Sequence, residues 1–240
     1  MIRKNSELFL EALSEDAMIR LFVGFDQRES VAFHTFFQSI IDVTTVPVSV
    51  TPLVLNALPG YAETHTDGSN AFIYSRFLTP YLAGFGGWAI FADGDMICRQ
   101  DLKALWDLKD ENYAVLVAKH DYQTKAHQKY LGNKNENYPK KNWSSVILWN
   151  CGHPKNRLLV PEFVMSKDGK FLHRFSWLEE SDIGDLPNEW NWLTTEYPDN
   201  DQAKLLHYTL GTPCFKDYKA ADMAEFWWDA HKRSQEGIDV

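Results

Sequence analysis

Six short apolar runs along the chain have the length and composition of buried β-strands. They cover residues 20–25, 44–50, 88–92, 113–118, 144–149 and 204–207. Apolar residues recur at helical spacing in 30–41, 74–82, 101–108, 154–160 and 220–233. Strands that alternate with helices in this way predict an α/β fold with a mixed, mainly parallel sheet that is covered by helices on both faces.

The chain shows no linker, internal repeat or low-complexity tract, so the pattern predicts a single domain over residues 19–240. Residues 1–18 begin with basic residues and continue with acidic ones, and we interpret them as an N-terminal arm. Pro47 lies inside the second predicted strand, which indicates an edge strand or a bulge because proline lacks the N–H donor. The polar stretch from Asp121 to Lys141 predicts a long loop, and such loops are often functional.

The stretch 88–97 carries the strongest candidate for chemistry, because a buried strand ends there in Asp93-Gly94-Asp95. Two carboxylates at the mouth of a core strand repel each other and resist desolvation unless a cation lies between them. Hard divalent cations such as Mg²⁺ or Mn²⁺ prefer oxygen ligands of this kind. We predict that Gly94 permits a tight turn that directs both carboxylates to one point. Asp-Gly is also common in solvated turns, and the motif alone leaves both interpretations open.

Composition narrows the class of ligand. The chain carries 33 acidic and 24 basic residues, a net charge of −9, which argues against nucleic-acid binding. An anionic ligand therefore needs a local cation, from a metal or from a few basic side chains. The three cysteines show no metal-binding spacing, which predicts reduced thiols in a cytoplasmic protein. No apolar run approaches the ~20 residues of a membrane span, although Trp227 and Trp228 beside Lys232 and Arg233 would suit a peripheral membrane contact.

Four patches recur together in one order between about residues 20 and 218. They read Leu-Phe-Val-Gly-Phe-Asp at 21–26, Tyr-Ser-Arg-Phe at 74–77 leading to Phe-Ala-Asp-Gly-Asp at 91–95, Ser-Ser-Val-Ile-Leu-Trp-Asn at 144–150, and His-Tyr-Thr-Leu-Gly at 207–211. Together they resemble the GT-A-fold glycosyltransferases of family 8, the family of glycogenin and the bacterial lipopolysaccharide galactosyltransferases. The resemblance implies a Rossmann-like GT-A domain. Its most specific part is the arginine-bearing helix just before the strand that ends in the aspartate pair.

This resemblance implies a metal-dependent hexosyltransferase that moves a sugar from a nucleoside diphosphate, expected to be a UDP-sugar, to an acceptor hydroxyl with retention. Asp93, Asp95 and His207 would hold Mn²⁺ or Mg²⁺, and one imidazole beside two carboxylates suits Mn²⁺ somewhat better. Such a metal would stabilise the leaving diphosphate. Asp93, Asp95 and Arg76 are thus the implied catalytic residues. A histidine at the end of a buried strand can also be a core residue whose nitrogens are satisfied.

The same resemblance implies further donor contacts. Asp26 would accept an N–H of the base, Arg76 would reach the donor sugar and the diphosphate, and Lys216 would be a second cation on the phosphates. The remaining implied contacts are Gln27, Arg28, Asn142, Ser144, Ser145 and Gly211. Each group also has a structural interpretation: a strand-end cap for Asp26, an ion pair for Arg76, and a polar strand start for 142–145.

Two departures from the family pattern affect the implied site. The family carries a lysine six positions after its histidine, whereas Pro213 stands there in this chain and the next lysine is Lys216. The family also carries an acid–amide pair about twenty residues before its Trp-Asn segment, and this chain has Leu-His-Arg-Phe-Ser-Trp at 172–177 instead. The nearby carboxylates are interpreted as a solvated acidic turn: Glu179, Glu180 and Asp182.

Two other functions fit part of the pattern. A sugar-1-phosphate nucleotidyltransferase would share the nucleotide-binding half of the sheet and the metal, but residues 26–29 lack its expected glycine-rich loop. A non-catalytic protein that binds a nucleotide-sugar or a carbohydrate would explain the missing acid–amide pair. The acceptor is not specified by the sequence. Five tryptophans are candidates for an acceptor wall, although aromatic residues are more often core: Trp177, Trp190, Trp192, Trp227 and Trp228.

Overall fold

The computed structural model describes residues 18–66, 68, 70–132 and 135–236. Its strands, in chain order, are β1 (Ile19–Gly24), β2 (Val48–Leu53), β3 (Trp88–Ala92), β4 (Met96–Cys98), β5 (Val115–Val117), β6 (Val146–Asn150), β7 (Ile183–Asp185), β8 (Trp192–Leu193) and β9 (Leu205–His207). Its α-helices are α1 (Ser30–Val43), α2 (Thr79–Leu82), α3 (Lys103–Trp106), α4 (Pro161–Ser166), α5 (Gly169–His173) and α6 (Ala224–Arg233).

The strands form two sheets. The larger sheet has the strand order β2-β1-β3-β6-β5-β7, and the smaller has the order β4-β9-β8. In the larger sheet β1 is parallel to β2 and β3, and β5 to β7, whereas β6 is antiparallel to both of its neighbours. The predicted mixed, mainly parallel sheet is therefore confirmed. Because β6 is reversed, its amino end lies at the edge where β1 and β3 have their carboxyl ends.

Two apolar layers bury the faces of the larger sheet. Side chains of a strand point alternately to opposite faces, so Leu21 and Val23 pack in one layer with Phe36 of α1, whereas Phe22 packs in the other with Phe77. Continuous apolar strands such as β3 are buried along their whole length, as a sheet covered on both faces requires. This two-sided burial is why the strands could be recognised as uninterrupted apolar runs.

Most predicted elements are present with shifted ends. The predicted helix 74–82 is a 3₁₀ helix, Ser75–Leu78, followed by α2, and the predicted helix 154–160 is a 3₁₀ helix, Pro154–Leu158. The second strand begins only after Pro47, and β2 lies at the edge of the larger sheet. The interpretation of Pro47 as a mark of an edge strand is thus confirmed.

The hydrophobic pattern does not indicate β4, β7 or β8, because strands of two or three residues are too short to establish a period. It also misses α4 and α5, which have only six and five residues. The expectation that His207 ends a strand of the main sheet is wrong. Its strand β9 belongs to the smaller sheet, where His207 lies opposite Met96 of β4.

The predicted arm, residues 1–18, lies outside the described residues except for Met18, which is exposed. The boundary between arm and domain therefore stays a prediction, as does the cytoplasmic location. Within the described ranges, no helix has the length and hydropathy to cross a membrane. Cys98, Cys151 and Cys214 are free thiols, as their spacing predicts.

Candidate active site

The loop between β3 and β4 places the two aspartates at the carboxyl edge of the larger sheet. Asp93 directly follows β3, and its backbone N–H donates to the carbonyl of Ser145 at 2.9 Å. Gly94 is required because a Cβ there would overlap the backbone carbonyl of Gly24 in the neighbouring strand. Gly94 is not among the positive-φ glycines of the described residues. The chain bends at residues 94 and 95 and both carboxylates face one cluster, as predicted, but the physical reason for glycine here is the close approach of two backbones and not a left-handed φ.

Strand pairing in the smaller sheet brings the histidine to the aspartates. The backbone N–H of Tyr208 donates to the carbonyl of Asp95 at 3.0 Å. The His207 Nε2 consequently lies 3.3 Å from Asp95 Oδ1 and 3.8 Å from Asp93 Oδ2. One potential ligand atom from each of these three side chains lies within 4.8 Å of the other two, and all three residues are buried. The prediction that they form one cluster is confirmed.

The side chains of this cluster are suitable ligands for a divalent cation. Asp95 Oδ1 is buried and has no hydrogen-bond partner, although its charge needs one. Asp93 Oδ1 is also without a hydrogen bond, but it forms an ion pair with the Arg76 NH1 at 2.8 Å. Two carboxylates and one imidazole that converge in this way are the ligand types that Mn²⁺ and Mg²⁺ accept.

Asn191 fixes the orientation of the His207 ring. The His207 Nδ1 lies 3.0 Å from Asn191 Oδ1, and the Asn191 Nδ2 donates to the backbone carbonyl of Asn142 at 3.0 Å. Because the amide nitrogen is committed to that carbonyl, its oxygen must accept from Nδ1–H. The proton on Nδ1 leaves Nε2 directed at the carboxylates with its lone pair available to a metal.

Replacement of Asn191 by alanine is therefore expected to weaken metal binding about 10- to 100-fold, because the imidazole loses the partner that fixes its tautomer and direction. The measurement is a Mn²⁺ titration of the protein followed by the electron paramagnetic resonance of free Mn²⁺. Asn188→Ala is the matched control, since Asn188 is exposed three residues away. Unchanged Mn²⁺ affinity in the Asn191 variant would contradict this role.

Arg76 is buried beside Asp93. The residue is 3% exposed, and its guanidinium donates to the backbone carbonyls of Ile73 at 3.0 Å and Ser144 at 2.9 Å in addition to pairing with Asp93. The ion pair that was the alternative interpretation of Arg76 is thus present. It does not exclude a role toward the donor, because Arg76 also lines the same cavity as the aspartates.

The electrostatic environment differs between the two aspartates. Burial raises the pKa of Asp93 to about 6, an effect that Arg76 reduces and Asp95 reinforces. Burial also opposes ionisation of Asp95, but the attractions of His207 and Lys129 act together with hydrogen bonding to lower the pKa of Asp95. Above about pH 6 both groups are therefore ionised, and a cation is the favourable way to balance them.

The reversed strand β6 contributes its amino end to this cavity. Asn142, Ser144 and Ser145 are buried and line it together with Asp93, Asp95 and His207, which form the candidate metal cluster. Asn142 has a left-handed backbone conformation, with φ 61°, and its side-chain amide donates to the Tyr122 hydroxyl at 2.8 Å. The Ser144 hydroxyl lies 2.7 Å from His173 Nδ1. The structure thus brings these predicted donor contacts together with Arg76, Asp93, Asp95 and His207.

Other predicted donor contacts lie outside the lining of this cavity. Asp26 accepts from the backbone N–H groups of Arg28 at 2.9 Å and Ala71 at 3.0 Å, and it forms an ion pair with the Arg28 side chain. The cap interpretation of Asp26 therefore holds. Gln27, Arg28 and Lys216 are exposed.

Gly211 is buried and is not part of the cavity lining. A Cβ on it would come within 2.7 Å of Tyr218 and 3.0 Å of Tyr130. This glycine lets the segment that follows His207 pack closely against the loop that contains Tyr130. Its implied contact with a donor stays a prediction.

Three residues near the candidate metal cluster are not indicated by the sequence: Glu29, Lys129 and His173. Burial and the charge of Asp95 raise the pKa of Glu29 to about 8, and its Oε1 accepts from the Tyr130 hydroxyl at 2.8 Å. His173 stands in the segment where the family has its acid–amide pair, and burial together with Arg76 lowers its pKa to about 3. Its Nε2 is buried without a hydrogen-bond partner. The only available signal for His173 was its place in that segment.

The core interpretation is confirmed for two of the five candidate tryptophans, since Trp190 and Trp227 are each 1% exposed and belong to the core. Trp177 and Trp192 are partly buried, and Trp228 is 37% exposed. The acids after Trp177 form a capping box on the 3₁₀ helix Glu180–Asp182 and pair with lysines at the surface. Neither group lines the cavity.

Comparisons with known proteins agree with this geometry. No family model matches the chain. Protein CDI of Arabidopsis thaliana is 41% identical over 232 residues, which cover 93% of this chain and 90% of that protein. Among solved structures, the apo bifunctional glycosyltransferase WbbM has a TM-score of 0.64 and 16% identity over 91% of this chain. The galactosyltransferase LgtC, in complex with donor and acceptor sugar analogues, has a TM-score of 0.56 and 12% identity over 90% of this chain and 96% of its own.

The structural likeness establishes the fold. This chain spans half the length of the WbbM chain, 50% of it, and nearly the whole of LgtC. The GT-A fold that the family resemblance implied is confirmed.

Proposed function

This chain belongs to the family of Protein CDI of Arabidopsis thaliana, and we propose that it is a metal-dependent glycosyltransferase. The donor is a nucleoside diphosphate sugar, with UDP as the expected nucleotide, and the acceptor is a hydroxyl group. The observation that carries this proposal is the buried Asp93, Asp95 and His207 cluster beside Arg76, at the carboxyl edge of a GT-A sheet. Ligands of open α/β sheets bind at that edge.

Each group of residues has a definite task in this proposal. Asp93, Asp95 and His207 hold Mn²⁺ or Mg²⁺, which when bound supplies positive charge to the diphosphate leaving group. Arg76 keeps Asp93 in place and presents a second positive charge to the cavity. The amide of Asn142 and the serine hydroxyls of 144–145 are suited to hydrogen bonds with sugar hydroxyls.

A retaining reaction is compatible with this set of groups. Among the described residues that line the cavity, the only carboxylates are Asp93 and Asp95, and both are assigned to the metal. In a same-face displacement the departing phosphate oxygen can take the acceptor proton, so no further carboxylate is required. The protein would then contribute position and electrostatic stabilisation.

Nucleotide binding provides the direct test. UDP at about 100 times its Kd is expected to stabilise the protein by about 2.7 kcal/mol, which raises Tm by about 5 °C or more for a chain of this size. The measurement is a thermal-shift series with UDP, GDP, ADP and CDP, each with Mn²⁺ and with EDTA. Metal-dependent stabilisation by UDP alone supports the proposal. Equal shifts with every nucleotide would contradict the uridine assignment, and no shift would contradict nucleotide binding.

Product analysis separates the alternatives. A nucleotidyltransferase would release pyrophosphate from UTP and a sugar 1-phosphate. A non-catalytic protein would bind UDP but would neither hydrolyse a UDP-sugar nor transfer its sugar. The replacement of the acid–amide segment around His173 favours this alternative. A glycosyltransferase is expected to release UDP from the UDP-sugar in an acceptor-dependent manner.

A further inference from the structure

Lys129 places an incompletely partnered ammonium group in the cavity. This lysine belongs to the long polar loop, and its Nζ donates to the Thr209 hydroxyl at 3.0 Å. Its side chain lines the cavity beside the metal cluster. Among the described residues, no carboxylate lies within ion-pair distance of Nζ. Burial lowers the pKa of this ammonium, and the longer-range attraction of Asp95 and Asp93 opposes that effect. An ammonium has three donors, so one neutral hydroxyl leaves most of its capacity for a ligand.

The neighbouring contacts hold this part of the loop in place. The backbone N–H of Tyr130 donates to the carbonyl of Leu210 at 2.7 Å. The Tyr130 hydroxyl donates to Glu29 at 2.8 Å, and its ring stacks on Phe215 with 4.9 Å between centroids. Lys129 is therefore positioned by packing against the segment that follows His207, and its ammonium is directed into the cavity before any ligand arrives.

The charges that line the cavity fit a diphosphate. The carboxylates of Asp93 and Asp95 are balanced by the positive charges of Arg76 and Lys129, so a bound divalent cation would leave the cavity with two positive charges. A diphosphate ester carries two to three negative charges near neutral pH and matches this excess. Without Lys129 the excess would be only one positive charge.

We propose that Lys129 is the diphosphate-binding lysine of this protein, in place of Lys216. Lys216 is the lysine that the sequence pattern suggests, but it is exposed and outside the cavity lining. The inference rests on the proposed function, and it assigns phosphate recognition to the part of the polar loop that contains Lys129. Lys129 donates hydrogen bonds to a phosphate oxygen of the donor and adds positive charge where the leaving group develops negative charge.

The experiment uses inorganic pyrophosphate with Mn²⁺ as the probe, so that phosphate binding is separated from nucleoside and sugar. Calorimetric titration of Lys129→Met is expected to show a Kd raised at least about tenfold, because a charge-assisted hydrogen bond is lost. Lys129→Arg is expected to retain most of the affinity. Lys216→Met is the matched control and is expected to bind like the wild type.

Thermal unfolding without ligand tests whether the role is structural. Lys129→Met is expected to melt at the same or a higher temperature than the wild type, because removal of a poorly partnered enclosed charge relieves its desolvation. A clearly lower melting temperature in Lys129→Met, repeated in Lys129→Gln, would indicate a structural lysine and overturn the proposal. Unchanged pyrophosphate affinity in Lys129→Met, or a loss in Lys216→Met, would also overturn it.

The outcomes also separate this inference from the proposed function. Pyrophosphate binding that depends on Lys129, in a protein that transfers no sugar, would support the lysine assignment and contradict the transferase. Sugar transfer that is insensitive to Lys129→Met would support the transferase and overturn the lysine assignment. A wild-type protein that binds no pyrophosphate in the presence of Mn²⁺ would overturn the assignment of Lys129.

Discussion

Asp95→Ala is expected to abolish sugar transfer, with kcat/KM lowered by at least about a thousandfold, because stabilisation of the leaving group by a metal contributes several kcal/mol. Asp95 Oδ1 is buried, has no hydrogen-bond partner and lies 3.3 Å from the Nε2 of His207. No other described carboxylate besides Asp93 lines the cavity, so nothing replaces the lost ligand.

The fold is expected to survive this substitution. The backbone carbonyl of Asp95 still accepts from Tyr208 in the variant, and removal of one of two neighbouring buried carboxylates relieves their repulsion. The attraction to His207 and Lys129 that lowers the pKa of Asp95 is lost at the same time, so Tm without metal should stay close to that of the wild type. A loss of activity that accompanies unfolding would not count as support.

The measurements for Asp95→Ala are UDP release from a UDP-sugar with acceptor, Mn²⁺ affinity, and Tm. Asp95→Asn keeps the side-chain size but removes the charge and is expected to behave like the alanine variant. Asp199→Ala, at an exposed position, is the control and should be fully active. Near wild-type turnover by Asp95→Ala would refute the metal role of this residue.

Arg76→Ala is expected to show the largest loss of stability, about 3–5 kcal/mol, as is usual when one partner of a buried ion pair is removed. The substitution leaves Asp93 without its 2.8 Å partner and the carbonyls of Ile73 and Ser144 without their donors. It also removes the side chain that packs over the rings of Phe72 and Phe91. Donor binding is expected to fall as well, because Asp93 and Ser144 both line the cavity.

The stability loss in Arg76→Ala should depend on pH in a defined direction. The pKa of Asp93 is already raised to about 6 in the presence of Arg76, and removal of the positive charge raises it further. A carboxyl whose pKa is raised by folding favours the folded state at low pH, and this contribution is lost as pH rises through the folded-state pKa. The destabilisation is therefore expected to be smaller at about pH 5, where Asp93 is protonated, than at about pH 8.

Urea unfolding of the metal-free protein at both pH values checks this prediction. Arg157→Ala, at an exposed position, is the matched control and should change stability little. Arg76→Lys keeps the charge but not the forked geometry, so intermediate stability is expected. Equal destabilisation at both pH values would show that Asp93 is not the group left unpaired.

Local sequence was sufficient to predict those strands whose residues are all buried. The runs that became β1, β3 and β6 are buried on both faces, so every position is apolar and the strand is visible without any partner. The aspartate pair was equally visible, because two charges that follow a core strand are costly unless a ligand or solvent offsets them. The role of Gly94 was not visible, since it depends on the carbonyl of Gly24 in another strand.

The residues around the candidate metal cluster show what local sequence patterns cannot predict. Asn191 precedes β8, and only the pairing of β8 with β9 brings its amide to His207. Lys129 and His173 occupy segments with no apolar period, and their direction into the cavity is set by contacts with Thr209 and Ser144. Polar side chains of this kind carry no signal along the chain, because their partners are distant in sequence.

The order of apolar and polar residues thus determined the α/β class, the mainly parallel sheet and the aspartate pair at its edge, since these follow from burial of neighbouring positions along one segment. The family resemblance implied that Arg76, His207 and serines 144 and 145 join that pair, and tertiary structure decided how they reach it and which further residues accompany them. The reversal of β6 brings serines 144 and 145 to Asp93, the smaller sheet brings His207 to Asp95, and loop packing brings Lys129 in while Lys216 stays exposed. The physical reason is that charge pairing and hydrogen bonding in the cavity depend on distances across strands and loops, which no spacing along the chain encodes.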